Sequence, residues 1–367
     1  QKMKRLILAG AGHAHLMTIR NLPALIRAGV SVTVVSPGDF HYYSGMGPGL
    51  LSGIYRPEQA RFDVRKMTEA RGGIFLRGYV ERIDALKRCV ILADGRALDY
   101  DLLSCNLGSD VIALPGASPH LIPVKPIDNL YRVGVEIRSR LKNGPLRVAV
   151  IGGGPAGVEL AGNLLRLGKA AAHPLAVTLI SRDDLLIRYP ARARTLALAS
   201  LRQRGANVIE CQAVRQVEAS RIVLEAGEPV AFDLAANAAG IMPSSVIRRS
   251  GLPVSRNGGL RVNSYLKCVS DPAVFGGGDC IHFDPRPLES AGVYAVRQGP
   301  VLYRNLTAAL GCKPLDAFVP QRRYLSILNM GDGRGILSWR CFILSGRFAF
   351  WLKDYIDRAF MRRFQKD

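Results

Sequence analysis

Two glycine-rich turns, about 140 residues apart, restrict this chain more than any other feature. Each stands between a short apolar run and a stretch with helical periodicity. In the first, Arg5 to Ala9 reads as a buried strand and leads into Gly10-Ala11-Gly12-His13-Ala14-His15. Apolar residues at helical spacing (Leu16, Ile19, Leu22, Ile26) then predict one helix from His15 to Arg27, and Ser31 to Val35 reads as a second strand. In the second, the strand Arg147 to Ile151 runs into Gly152-Gly153-Gly154-Pro155-Ala156-Gly157. An Ala/Leu-rich helix follows to about Leu167, then a strand from Ala176 to Ile180.

Strand, glycine turn, helix and strand is the context in which such a motif binds a dinucleotide. Gly10 and Gly152 permit the tight turn. Gly12 and Gly154 let a pyrophosphate reach the backbone at a helix N-terminus, whose free N–H groups and dipole attract anions. Two units imply two dinucleotides, and the economical pair is FAD with NADH or NADPH. The expected fold is α/β, with two Rossmann-like three-layer domains. Three positions depart from the motif. His15 replaces the third glycine of the first turn, where a large side chain loosens helix-to-strand packing unless it is accommodated. Ser36 ends the first unit's second strand, where an acid normally holds a ribose. Ser181-Arg182 ends the corresponding strand of the second unit. A hydroxyl and a guanidinium there suit a 2′-phosphate, which leans the nicotinamide choice towards NADPH.

Charge and cysteine usage narrow the partners. Fifty Lys and Arg against 29 Asp and Glu give +21, which draws the protein to an anionic partner such as membrane lipid, nucleic acid or a phosphorylated ligand. Seven cysteines show no CxxC, no zinc spacing and no CxxxxC dithiol, so no metal site is expected and a reducing, cytoplasmic compartment fits. The basic, apolar start is too short for a signal peptide. Residues 336 to 352 are apolar but interrupted by Arg340 and Arg347, so no transmembrane span is expected.

Beyond the glycine turns, Asn106-Leu107-Gly108-Ser109 and Asn237-Ala238-Ala239-Gly240 resemble the turns that close dinucleotide-binding segments in the two-dinucleotide-binding flavoprotein reductases, also called pyridine nucleotide-disulfide oxidoreductases. Val274-Phe275-Gly276-Gly277-Gly278-Asp279 is similar to that family's most specific FAD motif. The resemblance covers nearly the whole chain and implies a glutathione-reductase-like arrangement. It assigns 1–118 and 241–320 to a discontinuous FAD-binding domain, 119–240 to the nicotinamide domain, and 321–367 to a C-terminal cap. It implies that Asp279 accepts from the FAD ribityl chain. It adds His13, Ala14, Ser44, Gly45, Val80, Leu107, Gly108, Gly278 and Ala295 to the FAD contacts, and Pro155, Ala156, Gly157 and Gly240 to the dinucleotide-binding turns. A helix from Gly292 to about Leu310, beginning near Tyr294, would point its N-terminus at the flavin. Glu159 matches a glutamate near the nicotinamide, and Lys125 a lysine near the flavin.

Where the disulfide subgroups carry a redox cysteine pair, this chain has Tyr42-Tyr43-Ser44-Gly45-Met46-Gly47-Pro48-Gly49. That stretch resembles the type II NADH dehydrogenase-like branch, and within it the flavoprotein module fused to selenide, water dikinase. The resemblance implies hydride transfer from NAD(P)H to flavin, with direct delivery of two electrons to a quinone-like acceptor and Glu159, Lys125 and Tyr294 at the reacting centre. A sulfide:quinone-type enzyme and a nucleic-acid-binding flavoprotein are the alternatives; no nucleic acid is expected as a partner. A monomer or homodimer is anticipated. Gly346 to Phe364 reads as an amphipathic helix, with Phe348, Trp351, Leu352, Tyr355, Ile356, Ala359 and Phe360 on one side and Arg347, Lys353, Arg358, Arg362 and Arg363 supplying charge. Its alternatives are a core helix or peripheral contact with the inner face of a membrane.

Overall fold

A computed structural model describes residues 3–365. The first unit opens with β1 (Lys4–Ala9), then α1 (Leu16–Arg20) and α2 (Leu22–Arg27), and β2 (Val30–Ser36). Here the sequence expectation is corrected. The single helix anticipated from His15 to Arg27 is two short ones, because the chain leaves helical geometry at Asn21 and Pro23 can only enter a new first turn. A short helix α3 (Gly47–Ser52), β3 (Ile74–Arg77) and β4 (Leu102–Cys105) follow.

The second unit contains β5 (Leu121–Pro123), β6 (Leu146–Ile151), α4 (Pro155–Lys169), β7 (Leu175–Ile180), α5 (Ala191–Gln203), β8 (Asn207–Ile209) and β9 (Leu234–Asn237). The chain then returns to the first unit with β10 (Val274–Gly276) and α6 (Gly292–Leu310). Two five-stranded sheets result, in the orders β10-β4-β1-β2-β3 and β5-β9-β6-β7-β8, and every pairing in both is parallel. Parallel sheets need cover on both faces, which explains the near-continuous apolar runs of β1, β6 and β7. Separate cores form around each sheet, one holding Leu6, Leu8, Val34 and Phe275, the other Val148, Val150, Leu164 and Leu179. Closing the chain are β11 (Ser326–Asn329), β12 (Gly335–Trp339) and β13 (Phe342–Gly346), an antiparallel sheet, and α7 (Arg347–Gln365). Among the described residues no helix is long and apolar enough to cross a membrane.

The units repeat each other at their turns. Gly10 N donates to Val35 O at 2.8 Å, and Gly152 N to Ile180 O at 2.8 Å. A Cβ on Gly10 would stand 2.2 Å from Asn106 O, and one on Gly152 would stand 2.1 Å from Ala238 O. Both residues have positive φ, +90° and +126°. No side chain fits at either position. The third motif position differs. A Cβ on Gly157 would lie 1.8 Å from Gly152 O, so glycine is required there. At the matching place His15 is accommodated because α1 begins only after it. Its Nδ1 donates to Gly10 O at 2.5 Å, and its Nε2 accepts from Ser104 Oγ at 2.8 Å. Packing is not loosened: His15 is fully buried.

Burial lowers the pKa of His15 to about 4, opposed in part by the Gly10 carbonyl. The unfolded chain takes up this proton below about pH 6.5, the folded chain only near 4. The stability contributed is therefore present above pH 6.5 and lost as pH falls towards 4. Replacing His15 by Phe should cost about 1–3 kcal/mol at pH 8, because two buried polar groups lose their partner. The variant should also lose less stability than the parent between pH 6.5 and 4. Urea melts at pH 8 and pH 5 measure both effects.

Candidate functional site

The first glycine turn is enclosed. Gly10, Ala11 and Ala14 are buried, and Gly12 and His13 are partly so. Asn106 ties it to the far side of the site. Its Oδ1 accepts from Ala14 N at 3.2 Å, and its Nδ2 donates to Gly277 O at 2.6 Å. A Cβ on Gly12 or on Gly278 would meet this amide at 2.3 Å, so the glycines are set by Asn106 as well as by a ligand. Sequence reading quoted Asn106 as part of a turn and missed this role. Next to it, Asp279 Oδ2 accepts from Ser109 Oγ at 3.0 Å and from Lys125 Nζ at 2.7 Å. Lys125, which crosses from the second unit, is thus brought to the carboxylate that the resemblance assigns to the ribityl chain. Gln298 of α6 accepts from Gly278 N at 2.7 Å.

Leu107 and Gly108 continue this wall, with open space where a Gly108 side chain would be. Ser44 and Gly45 lie opposite the N-terminus of α6: Ser44 Oγ is 3.3 Å from where a Gly292 side chain would begin. Tyr294 and Ala295 are buried in the first turns of α6, the Tyr294 hydroxyl donating to Gln321 O at 3.4 Å. Val80 is buried on a strand beyond the end of β3, and Ser36 is buried at the end of β2. These groups fit a dinucleotide: a glycine cradle, a helix N-terminus and one carboxylate beside a lysine.

The second turn is open. Gly154, Pro155 and Ala156 are exposed at the start of α4, and nothing stands within 4 Å of a Gly154 side-chain position. Ser181 is buried against Gly153, whereas Arg182 is exposed and paired with Asp183 at 3.1 Å. Gly240, with φ +133°, closes the turn after β9. The second turn thus faces solvent, whereas the first is largely enclosed.

Between the two turns lies a charged cluster that the sequence did not disclose. Glu159 of α4 accepts from Asn329 N at 2.7 Å. Desolvation raises its pKa to about 7, opposed by nearby Lys353. Here the sequence expectation for α7 is corrected. Lys353, counted there among the charges of a solvated side, is buried, with Nζ donating to Asp357 Oδ2 and to Gly45 O, both at 2.7 Å. Burial opposes its charge, but Asp357 and Glu159 outweigh that and hold the ammonium above its ordinary pKa. Tyr43 OH donates to the other oxygen of Asp357 at 3.2 Å. Phe360 packs on Tyr43 and His13, with ring centres 4.8 and 6.1 Å away. The helix therefore lies across the loop at 43–45, where a redox cysteine pair would otherwise stand. Next to it His13 Nδ1 and His41 Nε2 are 3.0 Å apart, and burial keeps both rings neutral, His13 with a pKa near 4.

Two nucleotide-cradling turns, each on its own parallel sheet, with a half-buried acid and a buried lysine between them, define a two-dinucleotide-binding oxidoreductase. The chain belongs to the pyridine nucleotide-disulphide oxidoreductase family, whose model matches residues 4–299; the family uses FAD and a nicotinamide cofactor. It is similar to the NADH dehydrogenase-like protein YutJ of Bacillus subtilis (strain 168), 24% identical over 339 residues, 89% of this chain and 90% of that one. It is also similar to a type II NADH:quinone oxidoreductase of Staphylococcus saprophyticus, 24% identical over 97% of this chain and 95% of that one. The structure of NDH2 from Plasmodium falciparum in complex with NADH shares the fold, with TM-score 0.80, 14% identity and coverage of 99% and 100%.

A buried ion pair that loses one partner leaves an uncompensated charge. Lys353→Met should therefore destabilise the protein by about 3–5 kcal/mol. Adding Asp357→Leu should return most of that loss. Denaturant melts of the single and double variants, at matched flavin content, check the pair.

Proposed function

We propose that this chain oxidises NAD(P)H and passes two electrons, without a protein disulfide, to a quinone-like acceptor bound beneath α7. The observation that carries this reading is Glu159, a half-buried acid whose desolvation raises its pKa to about 7, beside the Lys353–Asp357 pair at the loop where a cysteine pair is missing. FAD supplies the two-electron transfer between nicotinamide and acceptor. The site residues given above from the resemblance keep their assigned roles in this reading, as do the domain boundaries.

Gly10, Gly12 and Asp279 would hold FAD, and Gly152, Gly154 and the first turn of α4 would hold the nicotinamide cofactor's pyrophosphate. Asp279, paired with Lys125, can accept from a sugar hydroxyl. The α6 N-terminus favours negative charge on the pyrimidine edge. Reducing a quinone also takes two protons. Glu159 exchanges a proton at neutral pH, and Lys353 can donate at the acceptor oxygen while Asp357 and Tyr43 fix its direction. The two cysteines nearest the FAD motif do not serve this chemistry: burial pushes Cys280 up to about 12 and Cys105 well above its ordinary value, so both stay thiols.

Arg182 favours NADPH in this reading. Its partner Asp183 is an exposed neighbour, worth at most about 1 kcal/mol, and a phosphate can take over the guanidinium fork. The exposed rings of Phe348, Trp351 and Tyr355 form a ladder on the outer side of α7, with centres 5.7 and 5.9 Å apart. This is an interfacial face, and it would bring the acceptor side near a membrane quinone pool.

Glu159→Gln should slow reoxidation by a soluble quinone roughly a hundredfold, while NAD(P)H reduces the flavin at the parent rate. As a proton donor, Glu159 gives a parent rate that falls above about pH 7, and this limb should vanish in the variant. Stopped-flow traces of the two half-reactions across pH decide it; an unchanged pH profile of reoxidation rejects the role. Separately, Arg182→Ala should weaken NADPH by about 1–3 kcal/mol more than NADH, read from the concentration dependence of flavin bleaching.

A further inference from the structure

The loop before β11 and the turn between β12 and β13 meet in a depression of about 390 Å³, lined by Arg322, Arg323, Trp339 and Arg340. Arg340 occupies the tight turn with φ +56° and lies near the Trp339 ring, 5.9 Å from its centre. Among the described residues no carboxylate pairs with any of the three arginines. Three guanidinium groups without acids, gathered at one notch, repel each other and call for a multivalent anion. Their planar forks match phosphate oxygens.

The rim of the notch is aromatic. Trp339 is 39% exposed and Phe342 57% exposed, and the two are paired across the turn. Alternation along β12 shows which way they point. A Gly335 side chain would run into the backbone of α7 at Phe350, so Gly335, Leu337 and Trp339 share the α7 face of the sheet. Ile336 and Ile343 take the other face and join the second unit's core. Phe342, opposite Trp339, therefore also stands on the α7 side. The rings at the turn and the ladder on α7 belong to one layer of the protein.

We propose that this notch binds the phosphate headgroups of an anionic bilayer, with Trp339 and Phe342 entering the interface beside them. A free phosphate ligand would explain the arginines but not the two exposed rings at the rim. Bilayer interfaces favour that combination, with aromatic side chains at the headgroup level and cations on the phosphates. The proposal rests on the reading of α7 as an interfacial face, but it places the charge recognition elsewhere, in the turn between β12 and β13.

The chain has two tryptophans, so Trp351→Phe leaves Trp339 as the sole reporter at the notch. In that protein, vesicles containing phosphatidylglycerol should shift the Trp339 emission to the blue, and added salt should reverse the shift; pure phosphatidylcholine should do so weakly. Replacing Arg322, Arg323 and Arg340 together by Ala should weaken binding to the anionic vesicles by at least roughly tenfold and flatten the salt dependence. Flavin content and turnover with a soluble quinone should stay unchanged, and Arg340→Glu alone should act in the same direction. Equal vesicle binding by the triple variant overturns the notch. If Phe348→Ser, Trp351→Ser and Tyr355→Ser together abolish binding while the triple arginine variant binds normally, α7 is interfacial and only the notch fails. A parent that binds neither vesicle overturns both readings. A Trp339 response to inorganic phosphate, with none to vesicles, assigns the arginines to a soluble ligand and overturns the bilayer.

Discussion

The close approach of a strand-end glycine to the neighbouring strand's carbonyl underlies the whole arrangement. Gly10 against Asn106 O and Gly152 against Ala238 O each leave no room for a Cβ. That contact turns the chain sharply at the strand end, ahead of the helix that follows. The helix N-termini then open at the crevice beyond the strand ends, where ligands of such sheets bind. Other features of the site are arranged around these two fixed points. Asn106 links the first of them to Gly277, and Lys125 brings a charge from the second unit to Asp279.

The C-terminal helix reverses the usual distribution of side chains. Lys353 and Asp357 are inside, while Phe348, Trp351 and Tyr355 are outside. A buried ion pair is a poor source of stability, since desolvation offsets most of the attraction. Its value lies in direction. Lys353 is fixed by Gly45 and Asp357, and Asp357 in turn by Tyr43, so the ammonium is held against the flavin-side loop rather than in water.

Much of the fold was legible in the sequence because its signals are local. Apolar runs of strand length, glycines with obligatory positive φ and the periodicity of α4 and α6 need only neighbouring residues to be read. The single helix expected after the first turn failed because Asn21 and Pro23 outweigh the Leu16, Ile19, Leu22 and Ile26 pattern. His15 stands in the sequence as a departure from the motif, and the contact that accommodates it is with Ser104, 89 positions away. The charged face of α7 was misread for the same reason: the groups that make Lys353 acceptable inside, Gly45 and Tyr43, lie about 300 residues earlier. Within the candidate site, the glycines and Asp279 belong to motifs that the sequence displays. The contacts of Asn106, Asp357 and Tyr43 are not visible there, because they exist only in the tertiary structure.

The unequal enclosure of the two glycine turns has a consequence for how the protein is made. A group seated on the first turn would meet Asn106, beside the loop at 43–45 that α7 lies across. Its binding free energy therefore adds directly to the stability of the folded chain. A flavin held there would act as part of the core, and its supply during synthesis would bear on the yield of folded protein. A cofactor on the open second turn would exchange with solvent more readily and add less to that stability.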